Sequence, residues 1–241
     1  MAKVRLDQLL VERGLAPSRE KARALVLAGA VLVDGQKAAK PGHSHDAGIE
    51  IQVTARPPYV SRGGVKLAAA LDGFAISPEA KVCADIGAST GGFTDCLLQR
   101  GAARVHAFDT GSGQMDWKIR TDPRVRLREN FNARYLKPED VGEPVALAVC
   151  DVSFISATLI IPALAAALAP DGEMVILVKP QFEVGKGEVG KGGIVRDPAL
   201  HAAACERVRS EAERLGFRTG IIESPIPGTE GNREFLLHAT H

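Results

Sequence analysis

Short apolar segments alternate with amphipathic segments over most of the chain. The apolar segments predict five strands, Lys81–Ile86, Arg104–Phe108, Val125–Leu127, Val145–Cys150 and Met174–Val178. The amphipathic segments predict four helices, Gly64–Leu71, Gly92–Arg100, Ala157–Leu168 and Pro198–Leu215. Alternation of strands and helices is typical of an α/β fold, in which helices cover both faces of a parallel sheet.

The chain ends differently from a dinucleotide-binding domain. Two further strands, Thr219–Glu223 and Glu234–Ala239, are joined by a loop rich in proline and glycine, with no helix between them. They predict an antiparallel hairpin at one edge of the sheet. A Rossmann-like, seven-stranded, mostly parallel sheet with such a hairpin is typical of class I methyltransferase domains.

The first 56 residues predict a small α+β domain. Leucines at helical spacing indicate a helix over Arg5–Glu12, and Ser18 is placed to cap a second helix, Arg19–Ala28. The strands Val31–Val33 and Ile49–Val53 follow, the first ending at the turn Asp34-Gly35. Paired prolines in Arg56-Pro57-Pro58-Tyr59 favour a stiff linker. We therefore predict domains at 1–56 and 63–241, joined by a linker over 57–62.

Charge and composition indicate which classes of protein the chain can belong to. Residues 1–66 hold eleven Lys/Arg and six Asp/Glu, whereas the rest of the chain is mildly acidic. The excess fits either a nucleic-acid-binding domain or an ordinary solvated basic face. No apolar run reaches the length of a membrane span, and no secretory leader is visible, which predicts a cytoplasmic protein without a membrane partner. Four widely spaced cysteines predict buried, reduced thiols and no metal site.

A glycine-rich turn, Asp85-Ile-Gly-Ala-Ser-Thr-Gly-Gly-Phe93, joins a predicted strand to a predicted helix. In an α/β sheet this turn lies at the ligand-binding end. Its spacing matches neither GxGxxG nor a Walker A loop, so phosphate binding is disfavoured. The acidic Asp85 suits an ammonium group, and Asp109 ends the next strand, where a carboxylate can bind ribose hydroxyls.

Four ionisable residues lie at the ends of predicted elements: Lys66, Asp151, Lys179 and Glu234. Two lysines and two carboxylates beside a cofactor can form a proton-abstraction site, because a neighbouring cation and desolvation free a lysine lone pair. The alternative is a rim of ordinary salt bridges. Residues alone do not show that these four side chains converge.

Weaker signals have plain interpretations. His43-x-His45-Asp46 is expected in a surface loop. The segment Gly185–Gly193 is either a mobile lid with two phosphate-contacting lysines or a flexible loop. Phe93, Trp117 and Tyr135 are expected in the core rather than as base-stacking platforms.

Taken together, the motifs resemble the TlyA (hemolysin A) family of ribosomal RNA 2′-O-methyltransferases. The N-terminal blocks Arg5-Leu-Asp-Gln-Leu-Leu and Gly29-Ala-Val-Leu-Val-Asp-Gly are similar to an S4-like RNA-binding domain. The remainder is similar to FtsJ-type methyltransferases, through the blocks that begin at Ser61, Asp85, Asp151, Val178 and Gly231. Five blocks in the right order are far more specific than any one of them.

The resemblance implies a catalytic tetrad of Lys66, Asp151, Lys179 and Glu234, with Lys179 as general base. It implies S-adenosylmethionine as cofactor, no metal, and these cofactor-binding residues: Asp85, Gly87, Ser89, Thr90, Gly91, Gly92, Phe93, Asp109, Asn132 and Asp151. RNA contacts are expected at Arg5, Arg19, Lys21, Arg23 and Arg62. The implied substrate is a ribose, of cytidine, in ribosomal RNA within ribosomal subunits. A non-catalytic RNA-binding protein and a cytolysin are the rival hypotheses.

Overall fold

The computed structural model describes residues 3–54, 57–228 and 230–241. The chain forms two compact units, Met1–Pro58 and Tyr59–His241. Arg56, the first residue of the proline-containing linker motif, lies outside the described residues. The α/β fold class expected from the sequence is confirmed in the second unit, which contains a seven-stranded sheet.

The first unit combines two helices with two small antiparallel sheets. Its elements are β1 (Lys3–Arg5), α1 (Leu6–Glu12), α2 (Arg19–Leu27), β2 (Val31–Val33), β3 (Gln36–Lys37), β4 (Ser44–Asp46) and β5 (Ile51–Val53). Ser18 accepts a hydrogen bond from the Lys21 amide at 3.3 Å, which confirms the predicted cap of α2. Asp34 and Gly35 both take positive φ angles, as a two-residue hairpin between β2 and β3 requires.

The second unit is a three-layer α/β domain. Its elements are α3 (Arg62–Gly73), β6 (Val82–Ile86), α4 (Gly92–Gln99), β7 (Arg104–Phe108), α5 (Trp117–Arg120), β8 (Val125–Arg128), α6 (Pro138–Val141), β9 (Val145–Cys150), α7 (Ile161–Ala167), β10 (Leu168–Val178), α8 (Pro180–Glu183), α9 (Pro198–Arg214), β11 (Arg218–Glu223) and β12 (Phe235–Thr240). The strand order is β11-β12-β10-β9-β6-β7-β8.

Strands β6 to β10 run parallel, and β12 is antiparallel to both β10 and β11. The predicted edge hairpin is therefore confirmed. The chain moves outward from β6 to β8 and then returns to place β9 on the other side of β6. The strand order thus reverses between β6 and β9, and ligands bind at the carboxyl ends of strands at such a point.

One apolar cluster lies on each face of the sheet, and each cluster contains the strand residues that are buried on its face. One includes Ile86, Val145 and Leu164, and the other includes Leu97, Leu147 and Leu236. The central strands are apolar on both faces because helices cover both. The core fixes the strand ends, and the strand ends carry the polar side chains of the site.

Several sequence expectations are wrong in detail. The predicted helix Ala157–Leu168 is a short 3₁₀ turn, Ala157–Leu159, followed by α7. Pro162 favours this break because proline is accepted in the first turn of a helix and not in its interior. The expected surface loop at His43-x-His45-Asp46 is instead partly a strand, since β4 pairs with β1.

The aromatic residues and cysteines also differ from expectation. Phe93 is buried as predicted, but Trp117 is 75% exposed and Tyr135 is 68% exposed. Neither residue belongs to the core. Trp117 begins α5, where Ile119 is the buried residue, and Tyr135 ends a 3₁₀ turn over Ala133–Tyr135, where Ala133 is the buried residue. The four cysteines carry free thiols, but Cys205 is only half-buried, because α9 lies on the surface of the sheet.

Within the described residues, no helix is both long enough and apolar enough to cross a bilayer.

Candidate active site

The two strands at the reversal point meet in very close contact. Gly87 follows β6 and Asp151 follows β9, and the Asp151 amide donates a hydrogen bond to the Ile86 carbonyl at 2.8 Å. A Cβ on Gly87 would lie 2.2 Å from the Asp151 carbonyl oxygen. Gly87 also has a φ of +80°, which glycine adopts without strain. Glycine is therefore required at this position for both sterics and conformation.

Lys66, Asp151, Lys179 and Glu234 line one cavity of 370 Å³, so the structure brings the four predicted side chains together. They come from four separate elements: α3, the ends of β9 and β10, and the residue before β12. Ser61, Arg62 and the glycine-rich turn complete the wall.

The first pair of this cluster faces the cavity. Lys179 Nζ lies 2.6 Å from Asp151 Oδ1, and the Lys179 side chain is 12% exposed. The same nitrogen donates a hydrogen bond to Ser153 Oγ at 2.8 Å. These two contacts fix the amino group at the cavity wall, and they leave it accessible from one side.

The second pair is more deeply buried. Lys66 Nζ forms an ion pair with Glu234 Oε2, and the two side chains are 9% and 3% exposed. A buried charge is tolerated only with a partner of opposite sign. The charged form of each of these two residues is therefore stabilised by the other.

A second cavity, of 360 Å³, adjoins the first and shares Gly87, Ser89 and Asp151 with it. Asp109 lies in its wall, and both carboxylate oxygens of Asp109 accept backbone hydrogen bonds. Oδ2 accepts from the Ser89 amide at 2.7 Å, and Oδ1 accepts from the Gly111 amide at 2.6 Å. The carboxylate is held rigidly and keeps lone pairs free for hydroxyl donors.

The remaining wall of this second cavity is largely apolar, and its main side chains are Phe108, Phe131, Val152, Ile155 and Ile160. Asn132 lies in the same wall, and its Oδ1 accepts a hydrogen bond from the Arg134 amide at 3.1 Å. A flat aromatic ligand with a hydroxylated sugar matches an apolar wall with one fixed carboxylate.

Asp85 lies beneath the glycine-rich turn and lines neither cavity. It is 0% exposed, and its Oδ2 accepts a hydrogen bond from Thr94 Oγ1 at 2.6 Å. Its other oxygen has no hydrogen-bond partner among the described residues. Burial raises the pKa of this carboxyl to about 7, and the nearby Asp151 charge acts in the same direction.

The raised pKa of Asp85 predicts a pH-dependent stability. Because the pKa is higher in the folded state than in the unfolded state, protonation of Asp85 stabilises the fold below pH 4, and this contribution is lost as pH rises through 7. We expect Asp85→Asn to remove up to about 4 kcal/mol of that pH dependence. Urea unfolding of both proteins from pH 4 to 8 measures it. Parallel curves would contradict the buried, protonated carboxyl.

The other predicted cofactor residues surround the start of α4. Gly91 precedes the helix with a φ of +90°, and Gly92 begins it. A Cβ on Gly92 would lie 2.0 Å from Ser61 Oγ, so glycine allows the starts of α3 and α4 to touch. Thr90, Gly92 and Phe93 line the tetrad cavity, whereas Gly91 does not.

The predicted RNA-binding cations lie in both units. Arg19, Lys21 and Arg23 are exposed on α2. Arg5 donates two hydrogen bonds to the buried Asp7, at 2.8 and 3.0 Å. Arg62, in the second unit, lines the tetrad cavity and donates a hydrogen bond to the Pro227 carbonyl.

Sequence reasoning missed the residues that support the site. Glu183 is buried, and it accepts hydrogen bonds from Ser156 Oγ at 2.5 Å and from the Ala157 amide at 2.7 Å. Burial raises its pKa. Glu183 thereby ties the segment after Lys179 to the segment after Asp151.

The strand order, the glycine-rich turn at the reversal point and the carboxylate that ends the next strand define a class I methyltransferase domain. The C-terminal hairpin agrees with this class. The model for FtsJ-like methyltransferases matches residues 59–241, and the model for S4 domains matches residues 4–48.

Known proteins resemble the whole chain. A 16S/23S rRNA (cytidine-2′-O)-methyltransferase, TlyA of Mycobacterium tuberculosis strain H37Rv, is 48% identical, with 98% of this chain and 89% of the relative covered. Hemolysin A of Brachyspira hyodysenteriae is 43% identical, with 98% and 99% covered. A solved structure from Streptococcus thermophilus, named provisionally as a hemolysin, is 46% identical with a TM-score of 0.77, covering 100% of this chain and 89% of that one. The chain belongs to the FtsJ-like methyltransferase family, in the TlyA (hemolysin A) group that also carries an S4 domain.

Proposed function

We propose that this protein transfers a methyl group from S-adenosylmethionine to a ribose 2′-hydroxyl in ribosomal RNA, with Lys179 as general base. The observation that carries the proposal is the convergence of Lys66, Asp151, Lys179 and Glu234 on one cavity next to the Asp109 cavity. This convergence supports the assignment of a base beside a cofactor site.

The residues present fit S-adenosylmethionine. Gly87 and Ser89 line both cavities, Asp109 offers a fixed acceptor for ribose hydroxyls, and the apolar side chains next to Asn132 suit adenine. In this proposal the methionine part follows Gly87–Gly92, above the buried Asp85. When bound, the cofactor would supply a methyl group attached to a positively charged sulfur. The sulfur would become a neutral thioether once the methyl group is transferred.

Proton transfer is assigned to the pair formed by Lys179 and Asp151. Lys179 Nζ takes the proton of the 2′-hydroxyl as the oxygen gains its methyl group. The Asp151 carboxylate, 2.6 Å away, then stabilises the ammonium that forms. Lys66 and Glu234 line the same cavity and position the ribose. Positioning matters most here, because the reaction moves one positive charge from the sulfur to Lys179 and creates no new charge.

The substrate is assigned from the relatives and from the basic first unit. Relatives that share nearly the full chain are named as ribosomal RNA (cytidine-2′-O)-methyltransferases. The S4 domain, with Arg5, Arg19, Lys21 and Arg23, supplies phosphate contacts. We therefore propose cytidine in a ribosomal subunit as the target and the cytoplasm as the site of action.

The test is transfer of labelled methyl from S-adenosylmethionine to intact ribosomes, separated subunits and naked ribosomal RNA. We expect label in RNA from at least one of these substrates, at a linkage that resists alkali, because a methylated 2′-oxygen cannot attack the neighbouring phosphate. Label recovered in single nucleotides after alkaline hydrolysis would indicate base methylation. RNA binding without any label would favour the non-catalytic RNA-binding hypothesis.

A further inference from the structure

We propose that Trp117 is a stacking platform for an unpaired RNA base adjacent to the ribose in the tetrad cavity. This inference rests on the proposed function and names a contact with that same substrate.

Trp117 is exposed, and among the described residues no packing contact of its helix requires an aromatic side chain there. It begins α5 and is 75% exposed. The buried side of this helix is provided by Ile119, which is 1% exposed and lies against Gly91. Leaving a large apolar ring in water gives up the stabilisation that its burial would provide. An exposed tryptophan that the fold does not need indicates a binding role.

Trp117 lies one residue away from a contact with the wall of the tetrad cavity. The amide of the preceding residue, Asp116, donates a hydrogen bond to the Thr90 carbonyl at 3.1 Å. Thr90 is part of the cavity wall that also contains Lys179 and Glu234. A ribose held in this cavity therefore brings its neighbouring nucleotides close to α5.

The charge next to Trp117 favours nucleic acid over a protein partner. Lys118 follows it directly, and its side chain is 73% exposed. Its ion pair with the Asp95 carboxylate is long, at 3.9 Å. Arg120 is already neutralised by Glu129, with two hydrogen bonds of 2.8 and 2.9 Å. An exposed aromatic ring beside an exposed cation is the combination that binds single-stranded RNA, where bases stack and phosphates attract cations.

The chain offers a direct optical test, because Trp117 is its only tryptophan. The full-length protein is first saturated with S-adenosylhomocysteine, which prevents turnover, and then titrated with the RNA or subunit that accepts methyl groups. We expect S-adenosylhomocysteine alone to leave the emission nearly unchanged, because Trp117 lines neither cavity. RNA is expected to quench the emission and to protect it from acrylamide. Trp117→Phe provides the background for any tryptophan in ribosomal proteins.

Kinetics of two variants complete the test. Stacking on one base contributes about 5- to 100-fold in affinity. We expect Trp117→Ala to raise the KM for RNA about 10-fold with little change in kcat, and Trp117→Phe to retain most of the affinity. S-adenosylhomocysteine affinity and thermal unfolding serve as controls, because a merely structural role would change them as well.

The outcomes separate this inference from the proposed function. If the protein methylates RNA while Trp117 emission and KM stay unchanged, the stacking platform is wrong and the function stands. Another outcome is that protein-free RNA is methylated but leaves the emission unchanged, and only intact subunits quench it. The partner of Trp117 is then a ribosomal protein, and the inference is overturned. If no RNA is labelled or bound, the proposed function fails first.

Discussion

Lys179→Ala is expected to lower kcat by at least about 100-fold, because it removes the group that the proposed mechanism assigns as the base for the hydroxyl proton. The affinity for S-adenosylhomocysteine should stay close to that of the unchanged protein, since the adenosine part is assigned to the Asp109 cavity, which Lys179 does not line. Single-turnover methyl transfer measures the first quantity, and calorimetric titration measures the second. The loss should therefore appear in the chemical step alone.

Lys81→Ala is the matched control for this prediction. Lys81 also holds an ion pair with a carboxylate, Glu173, at 3.0 Å, and its side chain is partly exposed. It lies at the opposite end of the sheet from the cavities, just before β6, so its removal should leave methyl transfer intact. Near-normal turnover of Lys179→Ala would exclude this lysine as the base. Equal losses in both variants would indicate general destabilisation.

The strands that carry the site could be predicted because their sequence pattern is strong. Val145–Cys150 is an uninterrupted apolar run, and the structure confirms it as β9 at the same residues. The positions of Asp151 and Lys179 followed from topology, since residues after parallel strands share one edge of the sheet. Lys66 and Glu234 were candidates by charge alone, and placing them in the same site required the family resemblance, because neither follows a parallel strand.

The supporting contacts could not be predicted, since they depend on distances between segments far apart in sequence. Glu183 binds the amide of Ala157, 26 residues away, and nothing in the local pattern of either segment indicates the other. The exposure of Trp117 was also missed. Aromatic residues are usually buried, and sequence alone does not show that Ile119 already fills the inner side of α5.

Removing one member of the buried pair is expected to destabilise the protein strongly. Lys66→Met leaves the Glu234 carboxylate, which is 3% exposed, without its partner. Breaking a buried ion pair in this way costs about 3–5 kcal/mol, because the remaining charge is desolvated and uncompensated. Urea unfolding measures the loss. Arg214→Met is the matched control: its pair with Glu211 is exposed, so the change should be below about 1 kcal/mol.

The double variant Lys66→Met with Glu234→Gln distinguishes a structural role of the pair from a role in positioning the ribose. Removing both charges leaves no uncompensated group, so most of the stability should return. Methyl transfer should remain at least about 100-fold impaired, because the cavity no longer holds these two charged partners for the ribose. If activity returned together with stability, Lys66 and Glu234 would be structural, and the chemistry would belong to Lys179 and Asp151 alone. Stability without activity would instead show that the four side chains act as one site.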